Sequence, residues 1–96
     1  DRHAEWKRAV DLALAGAWDA AHVIAQGDEQ DPLYCWLHAC LHKIEGDAAN
    51  ARYWYARSGG RGFEDFIDPP AELAAILKQD TDKWARMIRD KKIKAE

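Results

Sequence analysis

Two glycines set the architecture this chain can adopt. Gly16 and Gly46 lie thirty residues apart, and each follows a segment whose apolar residues recur at helical spacing. A glycine just past such a segment stops a helix, because it enters the left-handed backbone region at no steric cost. After each one comes a short segment carrying alanines and an aromatic, Trp18 with Ala20 and Ala21 in one case, Ala51 with Trp54 and Tyr55 in the other. The repeated joint divides the first sixty residues into two helical hairpins in series.

The remaining punctuation agrees. Helical spacing of Trp6, Val10, Ala13 and Leu14 predicts a first helix over 3–15, and a second covers 17–27 and ends at Gly27. Asp31-Pro32 opens a third, with Asp at the N-cap and Pro at the first helical position, and it runs to Glu45. Asp47 caps a fourth helix over 48–58, which Gly59-Gly60 ends. A loop over 61–69 carries Phe63, Phe66 and Ile67, three apolar anchors expected to pin it to the core. Pro69-Pro70 starts a C-terminal helical region over 70–92, with a new N-cap near Asp80-Thr81-Asp82, and 93–96 form a basic tail. Strand signals are nearly absent. The expected fold is all-α, with five or six helices, and 96 residues suit a single domain over 1–96. The Gly-x-(aromatic or Ala)-x-x-Ala pattern after each joint loosely resembles tetratricopeptide repeats, whose small residues let paired helices approach closely. That resemblance implies two tetratricopeptide-like hairpins with the C-terminal region as a cap.

Charge narrows the partners. Residues 1–70 hold 7 Lys/Arg against 12 Asp/Glu, whereas 71–96 hold 7 against 5. The pI of 5.8 is far below the basic footprint of a nucleic-acid binder, so nucleic acid is not expected as a partner. Apolar runs such as 71–77 are too short to span a bilayer, so no membrane is expected either. Cys35 and Cys40 would point about 140° apart on one helix, a poor disulfide geometry. They read as reduced, buried thiols of a cytoplasmic protein.

The chemistry concentrates between residues 34 and 57. On the third helix Leu33, Leu37, Cys40, Leu41 and Ile44 make an apolar arc, while His38, His42 and Glu45 share another face with Tyr34 and Cys35. On the second helix Trp18, His22 and Gln26 form an i, i+4, i+8 stripe beside Asp19. On the fourth, Asn50, Trp54 and Arg57 form a third row, edged by Tyr53. Stacked hairpins could bring these rows to one pocket. His38 and His42, one turn apart, are a chelating pair for Zn or another divalent metal. A third ligand would come from His22, Asp19 or Asp47, with Glu45 orienting His42 from outside the coordination shell. Glu45 lies unfavourably near a helix C-terminus, which calls for a cationic or imidazole partner; Arg52 and Arg57 are candidates. A zinc-peptidase pattern fails, because Ala39 rather than Glu follows His38. No nucleophile signature or phosphate loop appears. The competing reading is structural: Asp47 as an N-cap closed by Asn50, the tryptophans as core, and the polar groups as a network between stacked helices.

The run from Leu37 to Tyr55 resembles the signature of a family of uncharacterised bacterial and fungal proteins. It reads His-x-x-x-His-[Arg/Lys]-x-Glu-Gly-Asp-x-x-Asn-Ala-x-Tyr-Trp-[Tyr/Phe], followed by Gly, and here it is His38, His42, Lys43, Glu45, Gly46, Asp47, Asn50, Ala51, Tyr53, Trp54 and Tyr55. The segment His22–Gln26 is similar to the helix preceding it, so the resemblance spans about 18–62. It implies that His22, Gln26, His38, His42, Glu45, Asp47, Asn50 and Trp54 belong together, without implying a reaction.

Three functions are therefore expected, in this order. The first is a helical binding module whose polar–aromatic face takes a small polar ligand, a peptide or a metal. The second is a metal-dependent or hydrolase-like enzyme using His42 as base with Glu45 orienting it. The third is a purely structural domain that forms a homodimer through an exposed Trp36 or Trp84.

Overall fold

The computed structural model describes residues 2–79, with side chains from residue 4 onward. Four α-helices, α1 (Arg2–Leu14), α2 (Trp18–Ala25), α3 (Pro32–Ile44) and α4 (Ala48–Tyr55), are followed by a 3-10 turn at Phe63–Asp65. A further helix, α5, covers 69–79. No strand occurs among the described residues, and the fold is all-α. The second half of the expected 70–92 helix, its break near Asp80, Trp84 and the tail at 93–96 lie outside the described residues.

The two hairpins match in length as well as order. α1 and α3 are 13 residues each, and α2 and α4 are 8 each. Every boundary in the second hairpin is thirty residues beyond its counterpart. The joints are the same motif. Gly16 and Gly46 both have φ of 84°. The amide of Gly46 donates to the carbonyl of Lys43 at 3.1 Å and that of Asp47 to His42 at 2.9 Å; Gly16 to Ala13 and Ala17 to Leu12 repeat the pair at 3.1 and 2.8 Å. This is the paired carbonyl capture that ends a helix on a left-handed glycine.

α1 packs on α2 and α3 on α4, and α3 also touches both α1 and α2. That central position has a consequence. Every residue from Leu33 to Leu41 is buried, so α3 has no polar outer face over its first nine positions after Pro32. The arc carrying His38, expected to stand apart from the apolar face, is packed as well: the His22 ring of α2 and the Trp54 ring of α4 lie against it. His38 is 3% exposed.

The C-terminal part is fastened by one carboxylate. Glu72, on the first full turn of α5, is 0% exposed. It accepts hydrogen bonds from Trp36 Nε1 at 3.0 Å, Tyr55 OH at 2.5 Å and Lys43 Nζ at 3.1 Å. Lys43 also donates to the carbonyls of Phe63 and Phe66 at 2.7 and 2.6 Å, tying the connecting loop to the same point. Burial and the bond to Glu72 push the Tyr55 hydroxyl well above its ordinary range, and burial with the nearby Glu72 charge does the same for Cys40. Both cysteines are free and buried, as expected.

Trp36 is 5% exposed, which removes it as a dimer surface. Its ring is covered by Arg61, whose guanidinium carbon is 4.5 Å from the ring centroid. Of the three loop anchors, Phe63 and Phe66 pack against the core but Ile67 is 98% exposed. Phe66 has extended dihedrals, and side chains alternate sides along an extended backbone, so Phe66 turns inward and Ile67 outward.

Candidate functional site: a three-histidine centre

Three of the four histidines converge where α2, α3 and α4 meet. His22 comes from α2, and His38 and His42 from successive turns of α3. His22 Nε2 and His38 Nε2 are 2.9 Å apart. The rings of His22 and His38 lie 4.6 Å apart at 70°, those of His22 and His42 4.8 Å apart at 89°, and those of His38 and His42 stack at 5.0 Å. One nitrogen from each ring falls within 4.8 Å of the other two. Among the described residues this is the one group of three or more His, Cys, Asp or Glu side chains with such spacing.

Glu45 completes the arrangement from outside. At the C-cap of α3 it reaches across to His22, with Oε1 3.6 Å from Nδ1, and back to His42, with Oε2 3.5 Å from Nδ1. Its partners are thus imidazoles. The two arginines considered for it are engaged elsewhere: Arg52 pairs with Glu64 at 2.6 Å, and Arg57 lies 3.8 Å over the ring of Tyr53. A carboxylate beside Nδ1 favours the tautomer with hydrogen on that nitrogen, which leaves Nε2 free to accept. On that assignment the Nε2 hydrogen of the His22–His38 contact belongs to His38 and points at the lone pair of His22. The buried Nδ1 of His42 has no hydrogen-bond partner, because Glu45 at 3.5 Å is outside bonding alignment.

Trp54, from α4, forms the wall. Its ring stacks on His38 with centroids 4.1 Å apart and planes 17° apart. Burial first, then the neighbouring His22 and His42, lowers the His38 pKa from 6.5 to about 4. His38 is therefore a neutral imidazole at pH 7, the form that coordinates a metal.

The other residues of the expected site divide clearly. Asp47 caps α4: its Oδ1 accepts from the Asn50 amide at 3.2 Å, and its Oδ2 from Asn50 Nδ2 at 2.6 Å. The bond to Asn50 holds the Asp47 carboxyl below its ordinary range. Asn50 is exposed and spent on this cap. Gln26 is the exposed C-cap of α2 and is not brought to the histidines; Arg57 is exposed on Tyr53. Trp18 lines a separate cleft of about 320 Å³ with Leu14, Ile44, Pro69, Pro70 and Leu73. So each expected row contributes one part: His22 from the first, both histidines and Glu45 from the second, Trp54 from the third. Trp18 and Gln26 lie eight positions apart, about 12 Å along the helix and about 80° round it, so they cannot both reach the point that His22 faces.

Glu72 and Lys43 were absent from the expected site. The sequence signal for Glu72 is a carboxylate at apolar spacing, next to Leu73 and four before Ile76, both of them buried. No helix among the described residues is long and apolar enough to cross a membrane. Comparison of the chain with protein-family models, with curated proteins and with solved structures found no match.

Proposed function

We propose that this domain is a binding module for a divalent transition metal, of which Zn²⁺ is the representative, held by His22, His38 and His42. The observation that carries the reading is the convergence of three imidazole nitrogens within 4.8 Å of one another from two helical hairpins. Two nitrogens bound to one tetrahedral metal at about 2.0–2.1 Å sit roughly 3.3 Å apart. The 2.9 Å between His22 Nε2 and His38 Nε2 needs only a small opening, with the cation taking the place of the hydrogen between them and His38 carrying its hydrogen on Nδ1 instead. Glu45 supports the reading because a carboxylate on the outer nitrogen fixes ring orientation and raises ligand basicity. Neutral His38 supports it as well. Of the small polar ligand, peptide and metal expected for this face, metal is the one its chemistry selects. The hairpins act as a tetratricopeptide-like frame, and cytoplasmic residence accompanies the two reduced thiols.

Titration calorimetry with Zn²⁺ tests this. One ion should bind per chain, raising the melting temperature, and His22→Ala and His38→Ala should each abolish the effect. At a hundredfold excess over Kd the stabilisation is about 2.7 kcal/mol. Zn²⁺ that neither binds nor shifts melting sinks the proposal.

The 2.9 Å bond between His22 and His38 and the stack on Trp54 favour a second reading, in which the same cluster is a structural lock. It makes the opposite forecast: the alanine variants lose stability in metal-free buffer and the wild type ignores the ion.

A further inference from the structure

The metal reading leaves open whether the protein closes the coordination shell. We infer that it does not, and that the three-histidine centre keeps one position for an exogenous small donor, an anion such as azide or a water in its place. This rests on the proposed metal site and states what that site would take.

The argument is one of ligand supply. A structural Zn²⁺ site has four protein ligands, and a site with three keeps its fourth position for water or substrate. Here the group contains three residues among those described. Among the described residues the candidates for a fourth are committed or lie apart, Asp19 being exposed and outside the group. Cys35 Sγ points to the carbonyl of Glu29 at 3.3 Å. Cys40 is fully buried on the face of α3 that meets Glu72, away from the three rings. Asp47 is held by both groups of Asn50 at the start of α4. Glu45 lies against the Nδ1 atoms of His22 and His42, the outer side of the rings when Nε2 faces the ion.

Access is one-sided. His38 is buried and backed by Trp54, so nothing enters from there. The side chains of His22 and His42 keep 18% and 13% of their surface exposed, and Glu45 beside them 37%. The open position therefore belongs at the His22–His42 edge, where an arriving donor meets solvent on one side and imidazole on the other. An anion is favoured because it would offset the charge of a divalent ion whose three ligands are all neutral.

Co²⁺ in place of Zn²⁺ makes the position visible, because its absorption bands respond to coordination number and to a new ligand. Cobalt-loaded protein should show intense visible bands that shift on adding azide, in a saturable titration ending at one azide per cobalt. Sedimentation of the cobalt form should show a monomer before and after. If cobalt binds but its spectrum ignores excess azide, the inference is overturned while the metal site stands. A cobalt-dependent dimer insensitive to azide overturns it likewise, by showing that a second copy supplies the fourth ligand. Failure of cobalt and of Zn²⁺ to bind overturns both. His42→Ala should lose cobalt altogether, tying the spectrum to this centre.

Discussion

Stability of the metal-free domain should fall steeply with acidification, and one residue should carry much of the slope. His38 is buried beside two further imidazoles, and its pKa is lowered from 6.5 to about 4. In the unfolded chain the ring takes a proton below 6.5; in the fold it resists until about 4. A base with a lowered native pKa contributes stability that is complete above its unfolded value and lost as pH falls toward its folded one. The window is therefore pH 6.5 to 4. The gap corresponds to about 3 kcal/mol, or about 1.4 kcal/mol per pH unit at its steepest. That is a large share of the roughly 5–15 kcal/mol that holds a domain together. Urea unfolding at half-unit steps from pH 4 to 7, in chelator, gives the slope directly. His38→Phe supplies the comparison, since it can keep a ring against Trp54 but cannot titrate. The difference between the two curves removes the background from the other histidines and the carboxylates. It should grow by about 3 kcal/mol from pH 4 to pH 7. Parallel curves would refute the reasoning, because they would mean that burial does not discriminate between the two forms of His38.

Two further perturbations address the frame. Glu72→Ala removes the acceptor shared by Trp36, Tyr55 and Lys43, stranding two buried donors and leaving the part-buried Lys43 without its counter-charge. Thermal unfolding should show a loss of about 3–5 kcal/mol, with Glu72→Gln intermediate, and a loss under about 1 kcal/mol would deny the carboxylate its fastening role. Gly46→Ala places a Cβ in open space but at φ of 84°, so only backbone strain counts. A loss of about 1–2 kcal/mol in urea is expected, and an unchanged midpoint would contradict the left-handed joint.

What the residues disclosed in advance depended on how local the cause was. The hairpins were legible because their joints obey a backbone rule that a glycine satisfies alone, and the Asp31 and Asp47 caps because each acts within three residues. The placing of His38 and His42 side by side was legible for the same reason, since one turn of helix fixes it. His22 appeared only as one of three candidates for a third ligand, because sixteen residues separate it from His38 and no local rule sets the angle between α2 and α3. Gln26, Asn50 and Arg57 were grouped with the histidines by helical spacing. They were separated from them by partners of their own or by exposure at a helix end. The burial of α3 on all sides had a visible sign, an apolar stretch from Leu33 to Leu41 interrupted by His38 alone, but its cause is the packing of helices remote in sequence. Glu72 was illegible because charge is an ordinary mark of solvent exposure, and three donors from other elements reverse it.

The thirty-residue correspondence between the hairpins bears on where ligation acts. Counting back from the second hairpin, the counterparts of His38, His42 and Trp54 are Arg8, Leu12 and Ile24, none of which offers imidazole. The centre is thus a property of the seam and belongs to neither unit. His22 belongs to the first hairpin and His38 and His42 to the second, so an ion bound at the proposed site would report whether the halves are docked. In a linear array, coupling between neighbours decides whether units melt singly or together. A bound metal would strengthen that coupling alone. Amide exchange in α2 and α3 should then slow in step.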